Sequence, residues 1–453
     1  MEKNQFRLAD VILSVICVVF VAEAAAPVAS IGNSQYFWWG FMILAFLLPY
    51  GLIAAELGTA YAGDGGLYDW IHAAYPQGKW AARASWYYWI NFPLWMASLA
   101  VMCPELLRDI TGRQMGTIAS LAVQLLFIWI VTLIACYPVC DSIVILNVSA
   151  VIKILLALLV GGLGVWYISR YGFVNDMSAR TFLPSFDLTS LSYISVIIFN
   201  FLGFEVVCTF AGSMSEPKKQ IPQSIVTGGI VIAAIYLFSA FGIGAAVDVR
   251  EISVDSGLID AVSLILGADG GVLVAVVALL FLVTLFGNMI SWSMGVNSTA
   301  ALAADHNDMP RVFAKRWAKN NMPVGSAVAS GVCILGVLIE TVTPDSSLFW
   351  SFFALNLVML LLSYLPVFPA FLKLRRVDAK TPRPFRVPGS AAALRCIAYV
   401  PMALIIISII FTAVPLSFDE ETLKSFLPIT IGTILSAAIG EVLIALRGKT
   451  ARS

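Results

Sequence analysis

The sequence predicts an all-α, polytopic membrane protein with about twelve transmembrane helices. Of its 453 residues, 60% are hydrophobic and only 12% are charged, whereas soluble domains carry about 25% charged residues. Apolar runs of about 20 residues, the length that crosses a bilayer as a helix, recur along the chain. Basic and acidic residues balance at 27 each, so net charge indicates no nucleic acid partner.

The apolar runs form segments that we number one to twelve in chain order. They lie near 9–32, 36–61, 84–107, 116–136, 143–168, 188–213, 222–248, 271–303, 324–342, 346–373, 391–415 and 425–446. Lysines and arginines concentrate in the tails and in alternate connectors, among them Lys218, Lys219, Arg375 and Arg376. By the positive-inside rule, this bias predicts a multi-pass protein of the cell (plasma or inner) membrane with both termini in the cytoplasm.

Segment one carries a glutamate beside a helix breaker, in the run Glu23-Ala24-Ala25-Ala26-Pro27. Pro27 donates no backbone hydrogen bond and clashes with the carbonyl of Glu23, so the backbone between them is free to unwind. A charge at bilayer depth costs about 2.5–3.5 kcal/mol, so Glu23 is expected to face a cavity or the protein interior. An ordinary proline kink, with Glu23 bonded to a neighbouring helix, is the alternative.

Segment five contains Lys153, about 11 residues from its inner end and too deep to reach the interface easily. Its side chain could exchange a proton during a transport cycle. Equally, its ammonium could permanently fill a cation site and hold segment five against segments one and eight. Both roles imply a carrier that does not depend on sodium.

Segment six repeats the pattern of segment one, in Phe199-Asn200-Phe201-Leu202-Gly203-Phe204-Glu205. Gly203 is a poor helix former, and Asn200 and Glu205 flank it. Close helix packing at Gly203 and a structural hydrogen bond at Glu205 are the alternative. A broken helix that recurs five segments later is typical of an inverted five-plus-five repeat, with the binding site between the two breaks.

Aromatic side chains within spans are candidates for contact with a cationic amine, worth about 0.5–2 kcal/mol. Tyr88 in segment three, Phe199 in segment six and Trp292 in segment eight fall in this class. Packing, or an interfacial aromatic belt, is the alternative for each of them.

Three motifs follow one another along the chain. Ala55-Glu56-Leu57-Gly58 precedes Gly65-Gly66-Leu67-Tyr68, Phe201-Leu202-Gly203-Phe204-Glu205 precedes Glu216-Pro217-Lys218-Lys219, and Trp292-Ser293-Met294-Gly295 lies in segment eight. With this order and spacing, the chain resembles the amino acid–polyamine–organocation superfamily over nearly its whole length.

The resemblance implies a leucine-transporter-type fold in a single domain over 1–453. The first inverted repeat would cover 9–168, the second 188–373, and two peripheral helices 391–446. Phe199 would occupy the position of the aromatic gate of arginine/agmatine antiporters, Glu205 their segment-six glutamate and Trp292 their segment-eight tryptophan. Lys153 would match the lysine that replaces a sodium ion in proton-coupled members.

One departure from the family bears on the substrate. Amino acid carriers of this family have a Gly-Ser-Gly-like run in segment one, whose free amides hold the substrate carboxylate. Here Glu23 and three alanines stand in that place, and a carboxylate would repel another. We therefore expect a substrate-binding site formed by Glu23, Ala24, Ala26, Tyr88, Phe199, Asn200, Gly203, Glu205 and Trp292, with Lys153 and Glu205 in coupling.

These features favour a secondary transporter of cationic amines such as putrescine or agmatine, by exchange or by coupling to protons. A proton-coupled amino acid permease or an amino acid antiporter is the alternative within transport. A receptor that uses the same pocket, or an intramembrane enzyme, are alternatives from other classes. No nucleophile motif, catalytic pair or metal-ligand spacing supports an enzyme, and neither catalytic residues, metals nor cofactors are expected.

Overall fold

The computed structural model describes residues 5–21, 28–186, 188–252, 257–266, 271–342, 347–415 and 417–450. Across these ranges the regular structure is helical, with one isolated bridge between Phe6 and Met214. The first helices are α1 (Leu8–Val19), α2 (Ser34–Ala60), α3 (Leu67–Ala74), α4 (Trp80–Thr111), α5 (Thr117–Ala135), α6 (Val139–Tyr171), α7 (Leu188–Phe199), α8 (Phe204–Cys208) and α9 (Pro217–Ala246). The remaining helices are α10 (Gly257–Leu266), α11 (Val272–Asp305), α12 (Val324–Ala329), α13 (Ile334–Val342), α14 (Ser347–Tyr364), α15 (Val367–Val377), α16 (Ala391–Ala413) and α17 (Glu420–Thr450).

The helices account for the predicted number of spans. Among the described residues, nine helices are long and apolar enough to cross a membrane. Three apolar helical stretches are shorter, at Leu8–Val19, Tyr193–Cys208 and Val324–Ile339, and they correspond to segments one, six and nine. Two of these three are the segments for which the sequence predicts a break.

Helix α2 changes its hydrogen-bond pattern near its middle. A π-helical turn covers Ile43–Leu47, and Pro49 follows one residue after it. Because proline has no N–H, the α-helical ladder cannot continue through this position, and the wider turn absorbs the mismatch. The result is a locally widened helix at the centre of a membrane span.

The packing places α1, α4, α8 and α11 at the centre of the bundle. Helix α1 packs against α6, α9, α11 and the short α8, while α4 packs against α11 and α14. Helices α16 and α17 are exposed along most of their lengths and lie at the periphery. Within the broken helix, α7 packs against α16, α2 and α14, and α8 packs against α1, α2 and α11.

Candidate functional site

The break in segment six is centred on Gly203. Helix α7 ends at Phe199, four residues (200–203) interrupt the helix, and α8 begins at Phe204. Gly203 has φ +121°, a conformation that L-residues rarely adopt. A Cβ at this position would lie 2.8 Å from Val18 Cγ1 and 3.1 Å from Trp292 Cζ2. Both the backbone conformation and the close approach of its neighbours therefore require glycine here.

Glu205 lies in the first turn of α8 and is completely buried. The Tyr88 hydroxyl donates to its Oε1 at 2.7 Å, and the Tyr50 hydroxyl donates to its Oε2. Tyr364 packs edge-on against both tyrosines, with ring centroids at 6.4 and 5.6 Å. Among the described residues no cation forms an ion pair with Glu205. A carboxylate is thus held by hydroxyl groups from α2 and α4 beside a tyrosine of α14.

Aromatic rings line the other side of the break. Phe199 packs edge-on between Trp95 at 5.1 Å and Phe353 at 5.2 Å. Trp292 packs edge-on against Trp95 at 5.5 Å and lies 6.2 Å from Tyr88, centroid to centroid. All five side chains are buried. The structure therefore brings together Tyr88, Phe199 and Trp292, three of the residues assigned from the sequence to a substrate site.

Lys153 binds the end of α1. Its Nζ donates to the carbonyls of Cys17, at 2.7 Å, and Phe20. These carbonyls lie in the last turn of α1 and just beyond it, where the helix ladder leaves acceptors unused. The Val21 N–H, which would continue the ladder to Cys17, donates instead to the Tyr236 hydroxyl at 2.8 Å. An ammonium at this end also complements the negative pole of the helix dipole.

Helix α1 ends at Val19, because Phe20 is extended with φ −75° and ψ 114°. Trp292 Nε1 donates to the carbonyl of Val18 at 2.9 Å, and Asn288 Nδ2 donates to Cys17 O at 3.3 Å. Helices α6 and α11 therefore both bind the unwound end of α1. This unwinding begins before Glu23, earlier than the effect of Pro27 alone predicts.

The remaining residues that the sequence assigns to the site do not all belong to the clusters described so far. Glu23, Ala24 and Ala26 lie outside the described residues. Asn200 is buried in the turn that follows α7. Sequence reasoning missed four members of the cluster, namely Tyr50, Trp95, Phe353 and Tyr364. Trp95 could have been found from the sequence, because it lies seven residues after Tyr88 and therefore on the same face of α4.

Comparison with known proteins identifies the family. The family model described as amino acid permease matches residues 5–437. A probable agmatine/putrescine antiporter, AguD, of Lactococcus lactis subsp. lactis is 59% identical over 443 residues, covering 98% of this chain and 95% of that protein. A probable polyamine transporter of Arabidopsis thaliana is 24% identical, covering 89% of this chain and 79% of the relative.

A solved structure, that of MhsT in complex with L-phenylalanine, has a TM-score of 0.61 to this chain at 16% identity. The match covers 91% of this chain and 99% of that one. This likeness concerns the fold, and it confirms the predicted all-helical architecture of the leucine-transporter type. Since the family model spans nearly the whole sequence and a relative is 59% identical across it, the chain belongs to the amino acid permease family of the amino acid–polyamine–organocation superfamily.

Proposed function

We propose that this protein exchanges cationic amines, agmatine and putrescine in particular, across the cell membrane by alternating access. The observation that carries the proposal is Glu205, a buried carboxylate at a helix break with hydroxyl donors but no ion-pair partner among the described residues. An amine that enters the break supplies the missing positive charge. The names of the relatives in Lactococcus and Arabidopsis support the same substrate class.

The surroundings of Glu205 suit an organic cation better than a metal ion. Phe199, Trp292 and Trp95 present aromatic rings within one continuous cluster. A cation over such a ring gains about 2 kcal/mol or more once it is desolvated. In this proposal the rings flank the methylene chain and one charged end, and Glu205 binds that end.

The second charged end requires a second carboxylate, and we assign it to Glu23. The run from Glu23 to Pro27 offers no glycine-rich amides for a substrate carboxylate. Agmatine and putrescine both carry two positive charges at neutral pH and no carboxylate. Two fixed carboxylates therefore match a dication and disfavour an α-amino acid.

The same charges provide a physical reason for exchange. An ionised carboxylate enclosed without a counter-charge is costly, so the empty carrier is not expected to close and reorient readily. A bound dication removes that cost, and reorientation then proceeds in either direction. Exchange of one dication for another also moves no net charge across the membrane.

Proton coupling is the second candidate, because protonation of Glu205 would neutralise the same site. It predicts reorientation of the empty, protonated carrier, and hence net amine uptake into vesicles that contain no counter-substrate. We propose no proton transfer at Lys153, since its ammonium is bound to the carbonyls of α1.

The proposed orientation in the membrane follows from the distribution of basic residues. Lysines and arginines concentrate in the tails and in alternate connectors, and this bias supports cytoplasmic termini.

The test is uptake of labelled agmatine into proteoliposomes with and without internal putrescine. We expect uptake that depends on internal amine, and a fall of at least about tenfold, or 1.4 kcal/mol, in Glu205→Gln and in Glu23→Gln. Glu251→Gln, at an exposed carboxylate, is the matched control and should retain exchange. Uptake of neutral amino acids without any response to agmatine or putrescine would exclude the proposal. Uptake into empty vesicles driven by an acidic exterior would favour proton coupling instead.

A further inference from the structure

A groove opens on the outer surface of the bundle between α2 and α9. It encloses about 270 Å³ and is lined almost entirely by apolar atoms. Leu48 and Leu52 form one wall, Val226 and Ile230 the other, and the ring of Phe204 forms the floor. The groove lies beside the cluster around Glu205, and Phe204, whose ring packs against that of Tyr50, connects the two.

Two glycines and the π turn create the groove. A Cβ on Gly51 would lie 3.6 Å from Phe204 Cε2, and a Cβ on Gly229 would lie 3.6 Å from Phe204 Cζ. Because these two positions carry no side chains, a gap remains between the helices next to the ring of Phe204, which is itself only 1% exposed. The π turn at Ile43–Leu47 widens α2 next to the same opening.

The depth of the groove determines what can occupy it. Its residues fall between 43 and 52 in α2 and between 225 and 233 in α9. These stretches lie at the middle of the spans Ser34–Ala60 and Pro217–Ala246. The groove therefore opens into the hydrocarbon core of the bilayer, about 30 Å thick, where acyl chains are the surrounding medium.

We propose that this groove is a binding site for one acyl chain of a membrane phospholipid. An α-helix is about 10–12 Å across and too wide to enter so small a cavity, whereas a single hydrocarbon chain fits into it. The rim is apolar and exposed, with 54% of Leu48 and 67% of Ile230 accessible. Binding rests on van der Waals contact with a concave surface, since lipid tails are as apolar as leucine.

The bound chain contacts a residue adjacent to the candidate functional site. Phe204 precedes Glu205, and its ring lies 5.6 Å from that of Tyr50, centroid to centroid. The Tyr50 hydroxyl in turn donates to Glu205. A chain against Phe204 therefore supports the first turn of α8 from the membrane side.

The test uses the full-length protein in vesicles of phosphatidylglycerol and phosphatidylethanolamine, doped with a phospholipid that carries a diazirine at the middle of one acyl chain. After illumination, mass spectrometry maps the labelled residues. We expect labelling at 43–52 and 225–233 to exceed that of the exposed mid-membrane face of α6 by about tenfold. Labelling should be equal from both head groups, because the chain and not the head group is bound.

The variant Gly229→Leu fills the groove, because its Cβ is in ordinary contact distance of Phe204. Gly162→Leu is the matched control, at an exposed α6 position with no heavy atom within 4 Å of its Cβ. Labelling of the groove should fall to the α6 level in the first variant and stay unchanged in the second. Val226→Trp at the rim replaces Gly229→Leu if that variant does not fold. Even labelling of all exposed faces, or undiminished labelling in both groove variants, would overturn the proposal.

Discussion

Gly203 and Glu205 have distinct roles at the helix break: the first permits the backbone conformation and the second places a carboxylate beside it. The glycine permits a conformation in which Val18 and Trp292 approach the backbone closely. The glutamate then follows at the start of α8, where helix N–H groups are unpaired and favour a negative charge. The break and the carboxylate therefore depend on each other at the level of the local backbone.

Replacing Gly203 with alanine tests this dependence. The new Cβ would strain the backbone at φ +121° and press on Val18 and Trp292, at a cost of the order of 1–3 kcal/mol. We expect agmatine exchange to fall by about tenfold or more. Gly162→Ala, at the exposed α6 position without near neighbours, should exchange normally. Equal exchange rates in the two variants would contradict the requirement for glycine.

Lys153 is the second residue with a specific prediction. Its ammonium replaces backbone donors at the end of α1. Lys153→Met removes this donor from the Phe20 carbonyl and leaves Cys17 O with the 3.3 Å bond from Asn288, at a cost of about 1–3 kcal/mol. We expect slower exchange by about tenfold, and to the same extent at about pH 5.5 and about pH 8. The measurement is the pH profile of agmatine exchange for both proteins. A defect confined to one end of that range would instead assign Lys153 to proton coupling.

The short helix α3 and the loop before it lie outside the membrane spans. They hold a carboxylate, Asp69, in surroundings that disfavour its ionised form. Burial, together with the nearby charge of Asp64, raises the pKa of Asp69 to about 6. The Gly65 N–H, which donates to Asp69 at 3.0 Å, and His306 act in the opposite direction. Tyr68 of the same helix donates to Asp308 at 2.9 Å and stacks on His72 at 5.3 Å, centroid to centroid. The element thus carries a carboxylate that is less stable when ionised.

Thermal unfolding tests whether the ionised Asp69 lowers the stability of the folded protein. Between about pH 4 and about pH 6 the folded protein binds a proton at Asp69 that the unfolded chain releases, so this group lowers stability as the pH rises. Asp69→Asn removes the charge and retains an acceptor for Gly65. We expect its Tm at pH 7.5 to exceed that of the wild type by roughly 1–3 °C, with the difference vanishing near pH 4. Glu251→Gln, at an exposed site, should show no such difference; a lower Tm for Asp69→Asn at pH 7.5 would contradict the argument.

At the scale of the whole molecule, one buried ion-pair network joins the two halves of the chain. Glu56 of α2 is 0% exposed and binds Arg375 of α15 at 2.8 Å (Oε1 to Nε) and Arg383 at 3.3 Å. The Val387 N–H donates to the second carboxylate oxygen at 2.7 Å. The end of α2 is therefore bonded to a segment more than 300 positions away.

Breaking this network should destabilise the fold. Glu56→Gln removes the buried carboxylate that pairs with the partly buried Arg375 and Arg383, at a cost of about 3–5 kcal/mol. We expect a lower Tm and a lower yield of folded protein, measured by thermal unfolding in detergent and by gel filtration. Because the partners share one network, the double variant Glu56→Gln/Arg375→Gln should lose less stability than the two single losses combined. Additive losses would show that the pair is not coupled.

The sequence was sufficient to locate much of the candidate site. Glu205 and Lys153 stand out because a charge in an apolar run is visible residue by residue, and Gly203 because it interrupts a helix. Tyr50 and Tyr364 could not be found in this way, since a tyrosine within a span resembles any packed aromatic residue. Glu56 was visible within a motif, but its two arginines lie far along the chain, at the end of α15 and in the polar loop that follows, so their pairing with it was not.

The amino-acid sequence by itself determined the membrane class, the approximate positions of the apolar segments, the helix break at Gly203 and the family resemblance. These properties follow from composition and local pattern, because bilayer thickness and helix geometry act on consecutive residues. Only the tertiary structure decided which groups bind the buried charges. Tyr50 is 155 positions from Glu205, and Lys153 is 136 positions from Cys17. Such contacts depend on how helices pack side by side, which no local pattern specifies.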